Sequence, residues 1–359
     1  MAGTTTKGRG ANLAAAKRAK NDEFYTQWID IEREMNAYIE YDPDVFRGKT
    51  ILLPCDDPEW SNFTKFFVMK MRPYGIKKLI STSYAPGSKA AAGLTHDDAG
   101  DYDENRGRKL VLELDDIPAG EYAKMDDLTW TYLDGDGDFR SDEVTALRDE
   151  ADIVITNPPF SLFRPFIAWL MEGGVQFSVI GNVNAITYKE TFPLIKGNRL
   201  WLGPTISSGD REFKVPDSYP LQAAGWRVDD EGNKYIRVKG VRWFTNIEHG
   251  RRHEPLRLMS EADNIRFNKK LKGQPYQKYD NYDAIEVPYT DAIPNDHAGV
   301  MGVPITFLDK YNPEQFEILG ITEANAAGNS AGLWAGIESG RHAYIDGRKI
   351  YARIFIRNN

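Results

Sequence analysis

The chain has one cysteine, Cys55, among its 359 residues. No internal disulfide can form, which fits a reducing cytoplasm. No apolar run reaches the about 20 residues that a membrane-spanning helix needs. No apolar signal core opens the sequence, so a cytoplasmic location is expected. Histidine is scarce, and its five copies show no metal-ligand spacing. His249 and His253 lie four apart beside Arg251 and Arg252, which suits phosphate contact better than zinc. Asp134-Gly135-Asp136-Gly137-Asp138 opens like a calcium loop. Its sixth position is Phe139 instead of glycine and its twelfth is Thr145 instead of glutamate, which excludes an EF-hand. No histidine or asparagine is placed to activate Cys55, which reads as a loop residue and not a nucleophile. Internal repeats and coiled-coil heptads are absent as well.

What is present is enough for a large core. Hydrophobic residues make up 41% of the chain, which suggests one large domain and a smaller one. The net charge of -8 would argue against a polyanionic partner, but charge is unevenly spread. Residues 97–152 carry 19 acidic and 6 basic side chains. Residues 237–278 carry 11 basic and 4 acidic ones, and residues 1–20 carry five bases with no acid. Basic segments on an acidic body can bind phosphates locally.

Periodicity predicts helices over Asp30–Tyr41, Asn62–Arg72, Glu143–Arg148, Leu162–Met171 and Lys189–Ile195, after a short basic helix over Ala11–Lys20. Strands are expected at Lys49–Pro54, Lys77–Ser83, Lys109–Leu114, Ala151–Thr156 and Gln176–Gly181. A small acidic loop is expected over Gly87–Gly107. Alternating strands and helices predict an α/β fold with an open, mostly parallel sheet, and ligands at the carboxyl ends of its strands. After about residue 198 the texture changes. Arg199–Leu202 and Ile236–Phe244 read as strands of a hairpin, followed by a small mixed region.

The strongest motif is Asn157-Pro158-Pro159-Phe160, directly after the apolar run Ala151–Thr156. Proline fixes φ and donates no N–H, so the Asn157 and Pro158 carbonyls can face one way. Asn157 adds a side-chain acceptor and Phe160 a flat face on which a base can stack. Amino-group methylation of an adenine needs that geometry.

Four segments then line up in order: Asn21–Gln27, Leu53–Asp56, Asp136–Phe139 and Asn157–Phe160. Together they resemble the EcoRI-type DNA adenine-N6 methyltransferases, most strongly over residues 17–82, and again through ITNPPF and KGVRWFTN. The resemblance implies a Rossmann-like S-adenosylmethionine methyltransferase sheet with a C-terminal mixed target-recognition region. The implied division is a basic arm over 1–20, a catalytic domain over 21–247 and recognition over 248–359. Phe24, Tyr25 and Thr26 match the motif that holds the methionine end of the cofactor, with Gln27 in place of the common proline. Pro54, Cys55 and Asp56, with Asp57, match the first-strand loop that wraps the cofactor. Asp138 and Phe139 match the pair that takes its adenine, and Asn157, Pro158, Pro159 and Phe160 match the catalytic motif.

Two departures from the family stand out. The first-strand loop is Asp56-Asp57-Pro58-Glu59, with no glycine, and the second strand ends Ile80-Ser81-Thr82-Ser83 with no acid. Asp56, Asp57, Thr82 and Ser83 are the remaining candidates for the cofactor ribose. Lys17, Arg18, Lys20, Lys239, Arg242, Arg251, Arg252, Arg257, Arg266, Lys269, Lys270 and Lys272 are candidates for DNA contact. Trp201 and Phe213 are candidate second rings for a flipped base, while Trp226, Trp243 and Phe244 read as core. The expected partner is duplex DNA, met by a monomer. The methylation would either protect a host or phage genome or pair with a cognate restriction nuclease acting on the same site, with no stable complex between the two proteins. RNA adenine, protein glutamine, DNA cytosine-N4 and a non-catalytic DNA-binding relative remain alternatives.

Overall fold

The computed structural model describes residues 26–85, 103, 105–206, 210–215, 221, 225–322 and 342–359. The basic helix expected over Ala11–Lys20, the residues Lys17, Arg18, Lys20, Phe24 and Tyr25, and most of the expected loop Gly87–Gly107 lie outside the described residues. The chain divides into two compact units, Met1–Asn182 with Ser208–Ile247, and Val183–Ser207 with Glu248–Asn359. The segment from Val183 to Ser207 thus groups with the C-terminal part of the chain.

The first unit is built around a mixed sheet. Its strands are β1 (Thr50–Leu53), β2 (Lys78–Thr82), β3 (Arg108–Glu113), β4 (Thr131–Tyr132), β5 (Ile153–Thr156) and β6 (Gln176–Asn182). The chain then gives β7 (Trp201–Leu202) to the second unit. It returns with β8 (Asp210–Val215), β9 (Arg227–Val228), β10 (Lys234–Lys239) and β11 (Val241–Thr245). Within this unit the sheet order is β4-β3-β2-β1-β5-β6-β11. The pairs β1–β2, β1–β5 and β5–β6 are parallel. The pairs β2–β3, β3–β4 and β6–β11 are antiparallel.

The expectation of a mostly parallel sheet therefore holds only for the four central strands. A parallel return needs a crossover, usually a helix. Between β3 and β4 the chain has only two short 3-10 turns, Leu114–Asp116 and Met125–Asp127. A second correction concerns Ile236–Phe244, read as one strand. Gly240, at φ 70°, breaks it into β10 and β11. β10 pairs with β8 and β9 in a separate three-stranded sheet, while β11 pairs with β6.

Two helices, α1 (Trp28–Tyr41) and α2 (Asn62–Tyr74), cover one face of the sheet. The Tyr38 hydroxyl of α1 lies 3.0 Å from Ser178 Oγ on β6, and donates to the buried Glu34 carboxylate at 2.7 Å. Phe63 of α2 meets Trp243 of β11 edge-on at 6.0 Å. Trp243 and Phe244 are fully buried, as expected for core residues, whereas Trp226, also read as core, is 49% exposed just before the short strand β9. On the opposite face, α4 (Phe163–Gly173) sets Phe163 against Phe244 at 5.0 Å, with α3 (Asp142–Glu150) beside it. Each fully buried Phe or Ile contributes about 1.5–3 kcal/mol, so this two-faced core fixes the positions of the strand ends.

The second unit has a four-stranded sheet in the order β12 (Ala284–Glu286), β13 (Val300–Pro304), β17 (Arg353–Asn358), β14 (Phe316–Ile321), with a small hairpin of β15 (Tyr344–Ile345) and β16 (Arg348–Lys349). Among its described residues the α-helices are α5 (Phe192–Lys196) and α6 (Glu261–Phe267). Tyr279, Tyr282 and Phe355 form one aromatic cluster of its core, and Phe307 and Phe316 another. No described helix is long and apolar enough to cross a membrane.

Candidate active site

The strand order reverses at β1, which has β2 on one side and β5 on the other. The crevice outside the carboxyl ends of strands at such a point is where open α/β sheets place ligands. The register Leu52↔Val154 brings the loop after β1 and the Asn157 turn after β5 to the same edge.

Asp56 fastens this edge. It is 5% exposed. One carboxylate oxygen accepts from Ser61 Oγ and the other from Thr156 Oγ1, each at 2.6 Å. Its N–H donates to the Thr82 carbonyl at 3.0 Å, and its own carbonyl accepts from Ser81 Oγ. One aspartate thus ties together β1, β2, β5 and the start of α2. Ser61 in turn caps α2 by accepting from the Phe63 N–H at 3.0 Å.

Asp57 shapes the glycine-free loop. One oxygen accepts from the N–H groups of Glu59 and Trp60 at 2.9 and 3.2 Å. The other pairs with Arg108, whose second amine pairs with Glu59. Arg108 is 2% exposed, and its guanidinium lies 4.7 Å from the Trp130 ring centroid. In place of backbone permissiveness, an ion-paired arginine from β3 holds this loop.

The Asp136–Asp138 loop docks at the end of β2. Ala85 N–H donates to the Asp136 carbonyl at 2.7 Å. A Cβ on Gly137, at φ +81°, would meet the Ser83 carbonyl oxygen at 2.1 Å, and one on Gly107 would meet it at 2.6 Å. Glycine is required at both positions for that approach. The Asp138 carboxylate accepts from Arg140 Nε and backbone N–H, each at 2.9 Å. Hydrogen bonding from Arg140 holds its pKa below the usual carboxylate value. Phe139 is 4% exposed, edge-on to Phe166 at 4.9 Å and to Trp169 at 5.5 Å.

Asn157, Pro159 and Phe160 are half-buried and Pro158 is buried. Leu162 N–H donates to the Pro159 carbonyl at 2.9 Å, closing a 3-10 turn over Phe160–Leu162 that leads into α4. Thr26 joins the same neighbourhood, since Asn62 Nδ2 donates to its carbonyl at 2.8 Å. Two hydroxyls here are buried without a hydrogen bond among the described residues, Thr26 Oγ1 and Thr82 Oγ1. Ser83 Oγ accepts from the Arg108 N–H at 3.1 Å.

The basic candidates separate by burial. Arg242 and Arg252 are each 4% exposed. Arg242 donates to the Val241 carbonyl, while Arg252 pairs with Glu248 at 2.8 Å and lies 3.7 Å from the Trp201 ring centroid. Phe213 is 2% exposed. Arg257, Arg266, Lys269, Lys270 and Lys272 are exposed on the second unit, Arg251 is half-buried there, and Lys239 is exposed at the end of β10. His249 is a correction to the phosphate-contact reading. It is 2% exposed, its Nε2 lies 3.0 Å from the Leu202 carbonyl, and burial pushes its pKa down to about 4, so it is uncharged at neutral pH. No group of His, Cys, Asp or Glu able to hold a metal occurs among the described residues.

Sequence reasoning missed Ser61, Thr156, Arg108, Gly107 and Gly137. Only the Asp-Gly turn around Gly137 carried a local signal.

A proline-rigid amide turn at the reversal point of an α/β sheet, beside a buried aspartate that gathers three strand ends, defines an amino-methyltransferase class. The chain belongs to the family of the EcoRI adenine-specific methyltransferase, whose description matches residues 12–359. It is 40% identical over 351 residues to the type II methyltransferase M.EcoRI of Escherichia coli, covering 96% of each chain. It is 35% identical over 307 residues to M.MpnI of Mycoplasma pneumoniae, covering 85% of this chain and 83% of that one. With M.MgeORF184P of Mycoplasma genitalium it shares 34% over 347 residues, 95% and 97% of the two chains. No solved structure matches it.

Proposed function

We propose that the protein transfers a methyl group from S-adenosylmethionine to the N6 amine of a flipped-out adenine at a specific site in duplex DNA. In this reading the central strands form a Rossmann-like sheet, residues 248–359 form the target-recognition region, and a cytoplasmic monomer does the work. The type II names of the relatives support a modification role paired with a restriction nuclease that acts on the same site.

The observation that carries the reading is the Asn157–Phe160 turn at the carboxyl end of β5, level with the Asp56 loop. Thr26, the loop from Pro54 through Cys55 and Asp56 to Asp57, and the Asp138–Phe139 turn would hold the cofactor. The buried hydroxyls of Thr26 and Thr82 fit a polar ligand. When bound, S-adenosylmethionine would supply an electrophilic methyl from its sulfonium, which departs as a neutral thioether needing no proton. The methylated amine would release one of its protons to solvent. Asp56 and Asp57 already serve the loop's internal bonds, which favours Thr82 over either acid for the ribose.

The adenine amine is a poor nucleophile because its lone pair is delocalised into the ring. The Asn157 side-chain oxygen and the Pro158 carbonyl accept its two hydrogens, turn the lone pair toward the methyl group and stabilise the positive charge that develops on nitrogen. Fixing that alignment supplies most of the rate. Phe160 stacks on the base, which must leave the duplex to reach the turn.

The test incubates the protein with S-adenosylmethionine and unmethylated duplex DNA, then measures N6-methyladenosine in the digest by mass spectrometry. The nucleoside is expected with the wild-type chain and absent with Asn157→Ala. Cofactor binding without any methylated base on varied duplexes would overturn the reading.

A further inference from the structure

On the second unit, a groove of about 340 Å³ is lined by Arg251, Glu254, Leu256, Arg257, Asp291 and Lys310, together with Pro255, Leu258 and Thr290. Four other cations of this unit have acids beside them. Arg252 pairs with Glu248 at 2.8 Å, Lys270 with Asp291 at 2.7 Å, and Arg353 with Glu286 and Arg357 with Glu317, each at 2.6 Å. Arg251, Arg257 and Lys310 make no ion pair among the described residues. Among the described residues the Arg251 side chain donates to the Pro204 carbonyl alone. Because Lys270 neutralises Asp291, Glu254 is the one uncompensated acid among the lining residues against these three cations.

We infer that this groove is an anchor for the phosphodiester backbone of the substrate duplex, with Arg251, Arg257 and Lys310 as its phosphate-binding side chains. The inference rests on the reading of duplex DNA as substrate. Three facts point to backbone and away from a base or a small metabolite. No aromatic ring lines the groove, so nothing there stacks a base. Its cations come from two stretches, Arg251 and Arg257 on one and Lys310 on the other, so more than one charge of a polyanion can be met. One wall is also held in place, since the Gln315 side chain donates to the Leu256 carbonyl at 2.9 Å and accepts from its N–H at 2.8 Å. Leu256 and Leu258 are partly buried while Arg257 between them is exposed, so the pinned segment turns its guanidinium outward. Side chains that bind phosphates in this way set register and affinity and leave sequence reading to others.

The experiment measures duplex affinity by fluorescence anisotropy at several salt concentrations, for the full chain and for Arg257→Ala/Lys310→Ala. Both side chains lie at the groove surface, so the double variant should keep the wild-type unfolding midpoint. We expect its dissociation constant to rise about 10–100-fold near 0.15 M salt. The slope of log affinity against log salt should flatten by about 2, roughly one unit for each phosphate no longer neutralised. The Michaelis constant for DNA should rise with it while cofactor affinity is kept. Arg257→Lys/Lys310→Arg should restore the slope. An unchanged slope, with wild-type protein methylating adenine in the same duplex, would overturn the groove assignment alone. Wild-type protein that neither binds nor methylates duplex DNA would overturn the substrate reading and the groove with it. Protection against heat by inorganic phosphate at constant ionic strength, with the duplex slope intact in the double variant, would show a free-anion site and also overturn the assignment.

Discussion

The catalytic edge of the first unit and the basic groove of the second handle charge in opposite ways. At the edge, charge is satisfied inside the protein. Asp56 faces Ser61 and Thr156, Asp57 and Glu59 face Arg108, and Asp138 faces Arg140. In the groove, Arg251, Arg257 and Lys310 lack acidic partners among the described residues. A methyl transfer gains from atoms that do not move, so its loops are tied down by buried bonds. Backbone recognition gains from solvated cations whose counterions a duplex displaces. In the proposed reading, internal pairing serves positioning at the edge, and the unpaired cations gathered in the groove are left for a phosphate.

The largest expected effect follows from Arg108. Its replacement by methionine keeps the apolar stem near Trp130 but leaves Asp57 and Glu59 without their cation. Asp57 is only partly buried and Glu59 about half exposed, so the loss in urea unfolding should be about 3 kcal/mol, the low end for breaking a buried pair. Arg108→Lys should recover part of it, less than fully because a lysine cannot span both carboxylates with a planar fork. If the methionine variant were as stable as wild type, the loop would be held by something other than this pair, and the contrast between the two regions would fail on its buried side.

Next comes Asn157→Ala, which removes the acceptor proposed for the reacting nitrogen. Loss of one preorganised group of this kind costs about 10²–10³-fold in rate, read by single-turnover methyl transfer at saturating DNA and cofactor. Cofactor affinity and thermal midpoint should stay close to wild type. A fall of under about tenfold would remove the turn from the chemistry.

Much of this edge was legible from the chain. The apolar spacing of α1, α2 and α4, the β-branched run of β5 and the Pro-Pro turn after it are local signals, and each element starts or ends within about two residues of its expected bounds. What stayed hidden is non-local. Asp56 and Thr156 lie 100 positions apart, and Arg108 lies 51 from Asp57. No periodicity encodes such pairs. The requirement for Gly107 and Gly137 comes from the Ser83 carbonyl that they approach, and the direction of β3 and β4 from the lack of a crossover helix between them. Charge runs misled for a related reason. Arg242 and Arg252 sit in a basic stretch that reads as surface, yet both are buried.

The two units should also separate in acid. His249 of the second unit has a folded pKa of about 4 against an ordinary 6.5, because burial disfavours the imidazolium. Between these values the unfolded chain binds a proton that the folded chain refuses, so stability falls as pH drops from about 6.5 toward 4. The full loss is on the order of 3 kcal/mol. Asp138 of the first unit has its pKa depressed by Arg140, so its contribution is present above the ordinary carboxylate value of 3.8 and is lost only as pH falls below that range. Urea midpoints between pH 7 and pH 4 should therefore drop less steeply for His249→Asn than for wild type. Equal slopes would mean that the imidazole reaches water and carries its proton in the folded state.

The smallest effect tests the exposed side of the comparison. Arg357 pairs with Glu317 at 2.6 Å on the second unit, with both side chains about half exposed. Screened pairs of this type contribute about 0–1 kcal/mol, so Arg357→Ala should shift the urea midpoint only marginally. Its effect on DNA is the sharper reading. A paired arginine presents little net charge to a phosphate, so the salt slope of duplex binding should stay within experimental error of wild type, whereas Arg257→Ala alone should flatten it by about 1. If both substitutions flattened the slope alike, the duplex would respond to the summed charge of the unit and not to the groove, and the absence of an ion pair would no longer identify a phosphate-binding side chain.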